Sequence, residues 1–315
     1  MANVKIYLNK TEIGAAKRGS SLGIDALKIV SLNHDKSFFK EAEQLESNND
    51  VLFEERENFP HALYIDEIDR IYSFNHQMIS NQREGDENVI FISADHSQTS
   101  SYLAGIKNFN PDLKIGIIWI DAHGDLHSPY TTPSGNVHGM TLAMALGEDN
   151  IENKRNDPDE NTILIWNDLK RIAGEEPLIK SSDLAFIGLR DLEKEEIDLL
   201  ERKDIKYYLG RDAIDSDIKK VAKDTLEHLS NCDIIFVSFD VDSMDPDKVS
   251  YGTGTPVRYG LSKEQASELI DILTKHEKVT CFEITEINPL LDDNNKMAEK
   301  SFELLQIVKK NFESK

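Results

Sequence analysis

The sequence predicts a single-domain, three-layer α/β/α fold with a mostly parallel sheet of roughly eight strands. Short apolar runs of strand length alternate with longer helical segments along all 315 residues, and this alternation produces parallel strands joined by right-handed crossovers. The run Ile115–Ile120 is almost entirely apolar, as expected of a strand that is covered on both faces. No internal repeat or interdomain linker interrupts the pattern, so we expect residues 1–315 to form one domain.

The first half of the chain is expected to contribute four strands, at residues 4–8, 51–53, 89–92 and 115–120. A glycine-rich loop at 14–23 leads into a helix from about residue 24. Apolar residues recur at helical spacing over 62–83, which predicts a second helix, and a third is expected after residue 97. A polar loop over 127–139 follows the fourth strand.

The second half repeats the alternation. The same criteria predict four more strands, at 184–189, 205–209, 234–239 and 279–284. Helices are expected at 140–146, 161–173, 194–202, 215–229, 263–275 and 297–311. The acidic stretch 147–161 is typical of a solvated surface excursion, and 250–256 is expected to form a loop.

The composition excludes several classes of protein. There are 36 Lys and Arg against 58 Asp and Glu, and the net charge of −22 opposes binding to nucleic acid or to an anionic membrane while favouring cationic ligands. No apolar run approaches the roughly 20 residues of a membrane span, and the first residues lack the apolar core of a signal peptide. We therefore expect a cytoplasmic protein. The two cysteines lie in or beside apolar runs and exclude a disulfide framework.

Potential metal ligands follow three of the predicted strands. The ligand types are carboxylate and imidazole, and the residues are His96 after one strand, Asp121, His123 and Asp125 after the next, and Asp240 and Asp242 after a third. Each has an ordinary alternative role when taken alone, because an aspartate after a strand is often a helix cap or turn residue. Parallel strands place their carboxyl ends at one edge of the sheet, so the six side chains can converge there.

This set of ligands is too large for one catalytic zinc ion, which usually takes three protein ligands. Two metal ions that share carboxylates account for it more simply, and a carboxylate-rich set without thiolate favours Mn²⁺. Two metal ions roughly 3.5–4 Å apart can hold a bridging water and lower its pKa toward neutrality. The reaction class that the residues indicate is metal-assisted hydrolysis.

The segments around these residues resemble the metal-binding motifs of the ureohydrolase family, which includes arginase, agmatinase and formimidoylglutamase. The motifs are Ser-Ala-Asp-His-Ser at 93–97, Asp-Ala-His-Gly-Asp at 121–125 and Ser-Phe-Asp-Val-Asp-Ser-Met-Asp-Pro at 238–246. The similarity extends from residue 14 to residue 289. The segment 132–139, Thr-Pro-Ser-Gly-Asn-Val-His-Gly, resembles the arginase branch specifically. The resemblance implies an arginase-like fold and a homo-oligomer, either a trimer or a hexamer.

The resemblance also implies a dinuclear manganese centre with two Mn²⁺ ions per subunit. Asp121 and Asp240 would bridge the ions, His96 and Asp125 would complete one set of ligands, and His123 and Asp242 would complete the other. A metal-bridging hydroxide would attack the substrate. The guanidinium group is resonance-stabilised and permanently protonated, so it requires such a nucleophile together with an anionic cradle.

Further residues acquire roles from the same resemblance. Glu286 would anchor the guanidinium group, Asp125 would relay a proton to the departing amine, and His138 would exchange protons with solvent. Contacts to the amino-acid end of the substrate would come from His127, Thr132, Ser134 and Asn136 at the α-carboxylate and from Glu193 and Asp191 at the α-ammonium. Thr255 would wall the guanidinium pocket.

Three departures from the family pattern concern the surroundings of these residues. Ser93 and Ala94 replace two glycines, which adds side chains close to the metal. His127 replaces an amide, and Glu193 replaces the shorter aspartate. The departures bear on recognition of the amino-acid end more than on the dinuclear site.

The sequence therefore predicts an arginase-type hydrolase that cleaves L-arginine, a small cationic guanidino substrate, to L-ornithine and urea. The alternatives are another ureohydrolase, such as an agmatinase, a guanidino-acid hydrolase or a formimidoylglutamase, and a non-catalytic metal-containing regulator. A different metal-dependent amidohydrolase, such as a deacetylase, would have no need of Glu286. Agmatine has no carboxylate, so an agmatinase would have no need of Thr132, Ser134 and Asn136.

Overall fold

The computed structural model describes residues 4–55, 59–82, 88–211 and 217–315. The strands within these ranges are β1 (Val4–Asn9), β2 (Glu43–Gln44), β3 (Asn88–Ser93), β4 (Ile115–Ile120), β5 (Leu184–Leu189), β6 (Lys206–Leu209), β7 (Ile234–Asp240) and β8 (Val279–Thr285). The helices are α1 (Gly23–His34), α2 (Ile65–Gln82), α3 (Thr99–Phe109), α4 (Thr141–Ala145), α5 (Glu160–Lys170), α6 (Lys194–Arg202), α7 (Ile218–His228), α8 (Lys263–Lys275) and α9 (Lys296–Glu313).

The eight strands form one parallel sheet in the order β2-β1-β3-β8-β7-β4-β5-β6. Successive residues of a strand point to opposite faces, and β4 shows the result. Ile118 and Ile120 belong to the core beneath α1, α7, α8 and α9, whereas Ile117 and Trp119 belong to the core on the face covered by α3, α4 and α6. Both faces are therefore buried, which explains why the central strands are continuously apolar.

The order of the strands brings distant parts of the chain together. β7 and β8, which come late in the sequence, lie between β3 and β4. The carboxyl ends of β3, β8, β7 and β4 are therefore neighbours at the centre of one sheet edge. Open α/β sheets bind ligands at such a reversal of strand order.

The fold class and the parallel sheet are confirmed. One predicted strand is wrong, because residues 50–53 form a short 3-10 helix in which Val51 is buried and Phe53 is 90% exposed. The edge position is taken by β2, which pairs with β1 through only two residues. The predicted helix ends at Arg83 and at Asp215 lie outside the described residues. No helix in the described ranges is long and apolar enough to cross a membrane.

Candidate metal centre and substrate cleft

The six predicted metal ligands converge at the carboxyl ends of β3, β4 and β7. The chain folds this way locally because each strand ends in a turn closed by the aspartate itself. Asp121 Oδ1 accepts a hydrogen bond from the His123 main-chain N–H at 2.7 Å, and Asp240 Oδ1 accepts one from Asp242 N–H at 2.7 Å. Asp125 lies in the left-handed region with φ of 50°, a conformation that is unfavourable for a residue other than glycine.

The first donor group consists of His96, Asp121, Asp125 and Asp240. The Nδ1 atom of His96 lies 3.3 Å from Asp121 Oδ2, 3.1 Å from Asp125 Oδ2 and 3.4 Å from Asp240 Oδ2. One ring nitrogen carries at most one proton, so it cannot donate to three carboxylates. A cation between these atoms would satisfy all of them.

The second donor group consists of His123, Asp121 and Asp242. The Nδ1 atom of His123 lies 3.4 Å from Asp121 Oδ1 and 3.1 Å from Asp242 Oδ2. The hydroxyl of Thr255 donates to Asp242 Oδ2 at 2.8 Å, and the main-chain N–H of Ala122 donates to Asp242 Oδ1 at 3.3 Å. Thr255, predicted as a wall of the substrate pocket, thus also fixes a predicted metal ligand.

Asp121 is common to both donor groups, and its environment fits a metal-bridging carboxylate. Its Oδ2 atom is buried and has no hydrogen-bond partner among the described residues, which is costly for a carboxylate unless a ligand binds it. Burial and the charges of Asp242 and Asp121 raise the pKa of Asp240. Bound cations would relieve this repulsion between buried carboxylates, so the donor set fits divalent metal ions.

The far side of the His96 ring is held by residues that the sequence analysis missed. His96 Nε2 lies 2.9 Å from Ser238 Oγ, and the Ser238 hydroxyl donates to Glu283 Oε2 at 2.9 Å. Because the serine proton goes to the carboxylate, His96 donates from Nε2, and Nδ1 is the nitrogen that faces the carboxylates. The ring also stacks on Trp119, with centroids 4.3 Å apart.

Glu283 is a fully buried carboxylate in the middle of β8. Besides Ser238, the hydroxyls of Ser93 and Thr99 donate to it at 2.7 and 2.8 Å. Burial raises the pKa of Glu283, and the charge of His96 and these hydroxyls oppose that effect. The unusual Ser93 therefore serves this carboxylate, and Ala94 is buried beside it. A charged residue inside an otherwise apolar strand was the signal that could have revealed this cluster.

His138 and Glu286 form a pair at one side of the donor groups. His138 Nδ1 lies 2.9 Å from Glu286 Oε1, which also accepts a hydrogen bond from the His96 main-chain N–H at 3.3 Å. Burial of the ring disfavours its charged form, but the Glu286 carboxylate outweighs this and raises the pKa of His138 to about 9. Glu286 has φ of 66° and is buried. It does not line the cleft described below, whereas His138 does.

A cleft of about 110 Å³ opens onto both donor groups. Its lining includes predicted metal ligands and residues predicted to bind the amino-acid end, and consists of His96, Asp121, His123, Asp125, His127, Thr132, Pro133, Ser134, Asn136, His138, Gly139, Glu193, Glu196, Asp240 and Thr255. The loop that carries Thr132, Ser134 and Asn136 is stabilised by hydrogen bonds from its main-chain N–H groups to its own hydroxyl groups. Thr132 Oγ1 accepts from Gly135 N–H at 2.9 Å, and Ser134 Oγ accepts from Asn136 N–H at 3.2 Å.

The acidic side of the cleft is built by the start of α6. His127 Nε2 lies 3.2 Å from Glu193 Oε2, and His127 Nδ1 lies 3.1 Å from Thr131 Oγ1. The hydrogen bond from His127 lowers the pKa of Glu193 to about 2. Glu196, missed by the sequence analysis, is buried beneath them and accepts from the main-chain N–H groups of Leu126 and Glu193. The two departures at positions 127 and 193 therefore contact each other.

Asp191 lies apart from the cleft lining and is largely exposed. Its Oδ2 atom is 3.7 Å from His123 Nε2, and the positive charge of the nearby His123 ring lowers the pKa of Asp191. It therefore faces the outer nitrogen of a predicted metal ligand.

Comparisons with known proteins cover nearly the whole chain. A model of the Arginase family matches residues 4–308. An arginase of Bacillus subtilis (strain 168) is 29% identical over 298 residues, which span 94% of this chain and 93% of that protein. An arginase of Staphylococcus aureus (strain MRSA252) is 34% identical over 243 residues, 76% of this chain and 73% of that protein. A crystal structure of arginase from Bacillus subtilis superimposes with a TM-score of 0.79 at 28% identity, covering 97% of this chain and 98% of that one.

Proposed function

Because this chain belongs to the arginase family, we propose that it hydrolyses the guanidinium group of L-arginine to give L-ornithine and urea. The observation that carries the proposal is the composition of the cleft. One wall presents the His and Asp donor groups, and another presents Thr132, Ser134 and Asn136, which suit an α-carboxylate. The substrate of an agmatinase has no carboxylate for that wall to bind.

The cofactor of this proposal is a pair of Mn²⁺ ions held by the two donor groups. Asp121 and Asp240 would be shared, with His96 and Asp125 completing one set of ligands and His123 and Asp242 the other. When bound, the ions supply Lewis-acid activation of water, because paired metals lower the pKa of water toward neutrality. Ser238 and Glu283 hold His96 in the tautomer that such a site requires.

Three residues would act on charge and protons during the reaction. The buried Glu286 carboxylate would compensate the positive charge of the guanidinium group. This support would be electrostatic rather than a direct contact, because the carboxylate is hydrogen-bonded to His138 and to the His96 main chain behind the cleft lining. His138 would exchange protons with solvent, and Asp125 would deliver one to the departing amine.

The amino-acid end would be recognised by neutral hydrogen-bond donors on one side of the cleft and by a carboxylate on the other. Hydroxyl and amide groups of Thr132, Ser134 and Asn136 would donate to the α-carboxylate. The ionised Glu193 would accept from the α-ammonium, supported by His127 beside it. Asp191 would act at longer range.

The test is urea release from L-arginine, agmatine and guanidinobutyrate, each assayed in parallel with Mn²⁺-loaded protein. Agmatine lacks the carboxylate and guanidinobutyrate lacks the ammonium, so the three compounds probe the two walls separately. We expect release from L-arginine that is abolished by Asp121→Ala. Release from agmatine alone would establish a different ureohydrolase, and no release from any of them with Mn²⁺ bound would favour a regulator.

We also propose that residues 1–315 form one domain and that the protein is a cytoplasmic homo-oligomer, a trimer or a hexamer. The test is the molar mass in solution, measured by size-exclusion chromatography with light scattering at several protein concentrations. A monomer at every concentration would contradict it.

A further inference from the structure

Arg190 directly follows β5 and binds main-chain carbonyl oxygens. Its guanidinium donates four hydrogen bonds: Nη1 to Gly188 O at 3.0 Å, Nη2 to Asp242 O at 2.5 Å and to Val257 O at 2.8 Å, and Nε to Arg258 O at 3.1 Å. These acceptors come from the end of β5 and from both ends of the loop that follows β7. One side chain thereby joins segments that are more than 50 residues apart.

Two glycines leave the space that this side chain occupies. A Cβ atom at Gly210 would lie 2.8 Å from Arg190 Cδ, and one at Gly260 would lie 2.6 Å from Arg190 Nη2. Both distances are shorter than side chains tolerate. The surrounding backbone is therefore shaped to accept a large planar group at this position.

The segments that Arg190 joins carry parts of the second donor group. Asp242 supplies a carboxylate to that group, and Thr255, two residues before Val257, donates to the same carboxylate at 2.8 Å. The main-chain N–H of Arg190 donates to Ala122 O at 2.9 Å, and Ala122 lies between Asp121 and His123. Arg190 thus contacts the backbone beside all three members of the second donor group.

We propose that Arg190 is a positioning residue for the second donor group and holds the loop 242–258 in place for metal binding by Asp242. Arginine suits this role because its five N–H donors lie in fixed directions in one plane, whereas a lysine ammonium cannot reproduce four bonds at these positions. The inference rests on the proposed metal centre. Its test therefore separates the behaviour of the loop from the uptake of metal.

The first measurement is hydrogen–deuterium exchange of metal-free protein. Arg190→Lys is expected to raise the exchange rates of amides in 251–258 at least tenfold and to leave those of β3 and β4 within twofold. The matched control is Arg171→Lys, because Arg171 is exposed and its ion pair among the described residues is with the exposed Glu175. This control should change neither the exchange rates in 251–258, β3 and β4 nor the activity. Unchanged exchange in 251–258 of the Arg190 variant would overturn the proposal.

The second measurement is Mn²⁺ titration of the same proteins. Arg190→Lys is expected to weaken one of two bound ions at least tenfold and to leave the other within threefold. If the affinity for both ions fell equally, or the affinity for neither ion changed, Arg190 would not act on the second donor group specifically and the proposal would be overturned. If the Arg190 variant is destabilised throughout, Thr255→Val provides the independent test, because it removes a hydrogen bond made directly to Asp242 Oδ2 and should weaken the same single ion. Failure of the unmodified protein to bind Mn²⁺ would instead refute the proposed function.

Discussion

Replacing Ser238 with alanine is expected to weaken metal binding without changing any proposed metal ligand. The Ser238 hydroxyl accepts from His96 Nε2 and donates to Glu283, both at 2.9 Å. Alanine would remove both hydrogen bonds and leave Nε2 of His96 without its acceptor. The ring would then no longer be held in the orientation and tautomer, with Nε2 protonated and Nδ1 toward the carboxylates, that metal binding requires.

The expected magnitude follows from these two lost contacts. A hydrogen bond that involves a charged group contributes about 1.5–3 kcal/mol, and loss of such an outer partner of a metal-binding histidine typically costs about 10–100-fold in metal affinity. That range equals about 1.4–2.8 kcal/mol. We therefore expect the affinity for the ion held by His96 to fall by about 10–100-fold, and the free energy of unfolding of metal-free protein to fall by about 1–3 kcal/mol.

The assay is calorimetric titration of metal-free protein with Mn²⁺, combined with chemical denaturation. Ser93→Ala is the matched control, because it removes another hydroxyl from Glu283 at 2.7 Å without touching His96. It should lower stability but change metal affinity less than threefold. Equal losses of affinity in the two variants, or full affinity in Ser238→Ala, would refute the reasoning about the tautomer.

Three further predictions concern pH, packing and the substrate. The free energy of unfolding of metal-free protein should fall as the pH rises from about 4 to 9. Burial raises the pKa of Asp95 to about 6, and the Glu286 carboxylate outweighs burial and raises the pKa of His138 to about 9. The folded state then binds more protons than the unfolded chain, and a stability maximum above pH 7 in denaturation curves would contradict this. Gly260→Ala should lower the free energy of unfolding by about 1–3 kcal/mol, because its Cβ would lie 2.5 Å from a carbonyl oxygen. Thermal melts should show no comparable loss for Gly139→Ala, whose Cβ meets nothing within 4 Å. Ser134→Ala should raise the KM for L-arginine and for guanidinobutyrate about tenfold in steady-state kinetics, since a hydrogen bond to a charged group contributes about 1.5 kcal/mol. An equal rise in the KM for agmatine would argue against a contact between Ser134 and the carboxylate.

The strands that position the site could be predicted because they are buried on both faces and therefore mostly apolar. β2 could not, because an edge strand of two residues needs only main-chain pairing, and Glu43 and Gln44 carry no apolar pattern. The run at Val51 is apolar for another reason, since Val51 packs in the core while its neighbour Phe53 is exposed. Pattern alone does not distinguish such a short run from a strand.

The convergence of the six candidate metal ligands could be predicted because one sheet edge collects all parallel strand ends. The supporting contacts could not, because they depend on which strands are neighbours. Glu283 reaches Ser93 and Ser238 only because β8 lies between β3 and β7. The sequence predicts a guanidinium anchor at Glu286, whereas the structure bonds this carboxylate to His138. That pairing likewise depends on contacts between distant segments.

The insertion of β7 and β8 between β3 and β4 also affects synthesis of the chain. The sheet cannot close until residue 285 has left the ribosome, because β3 and β4 have no direct pairing with each other. Until then the apolar edges of both strands lack their neighbours, and contacts across about 190 residues, such as Ser93 to Glu283, form late and slowly. Nascent chains shorter than this should depend on chaperones. The two donor groups would therefore be complete, and able to hold the proposed metal ions, only after β7 and β8 have been synthesised.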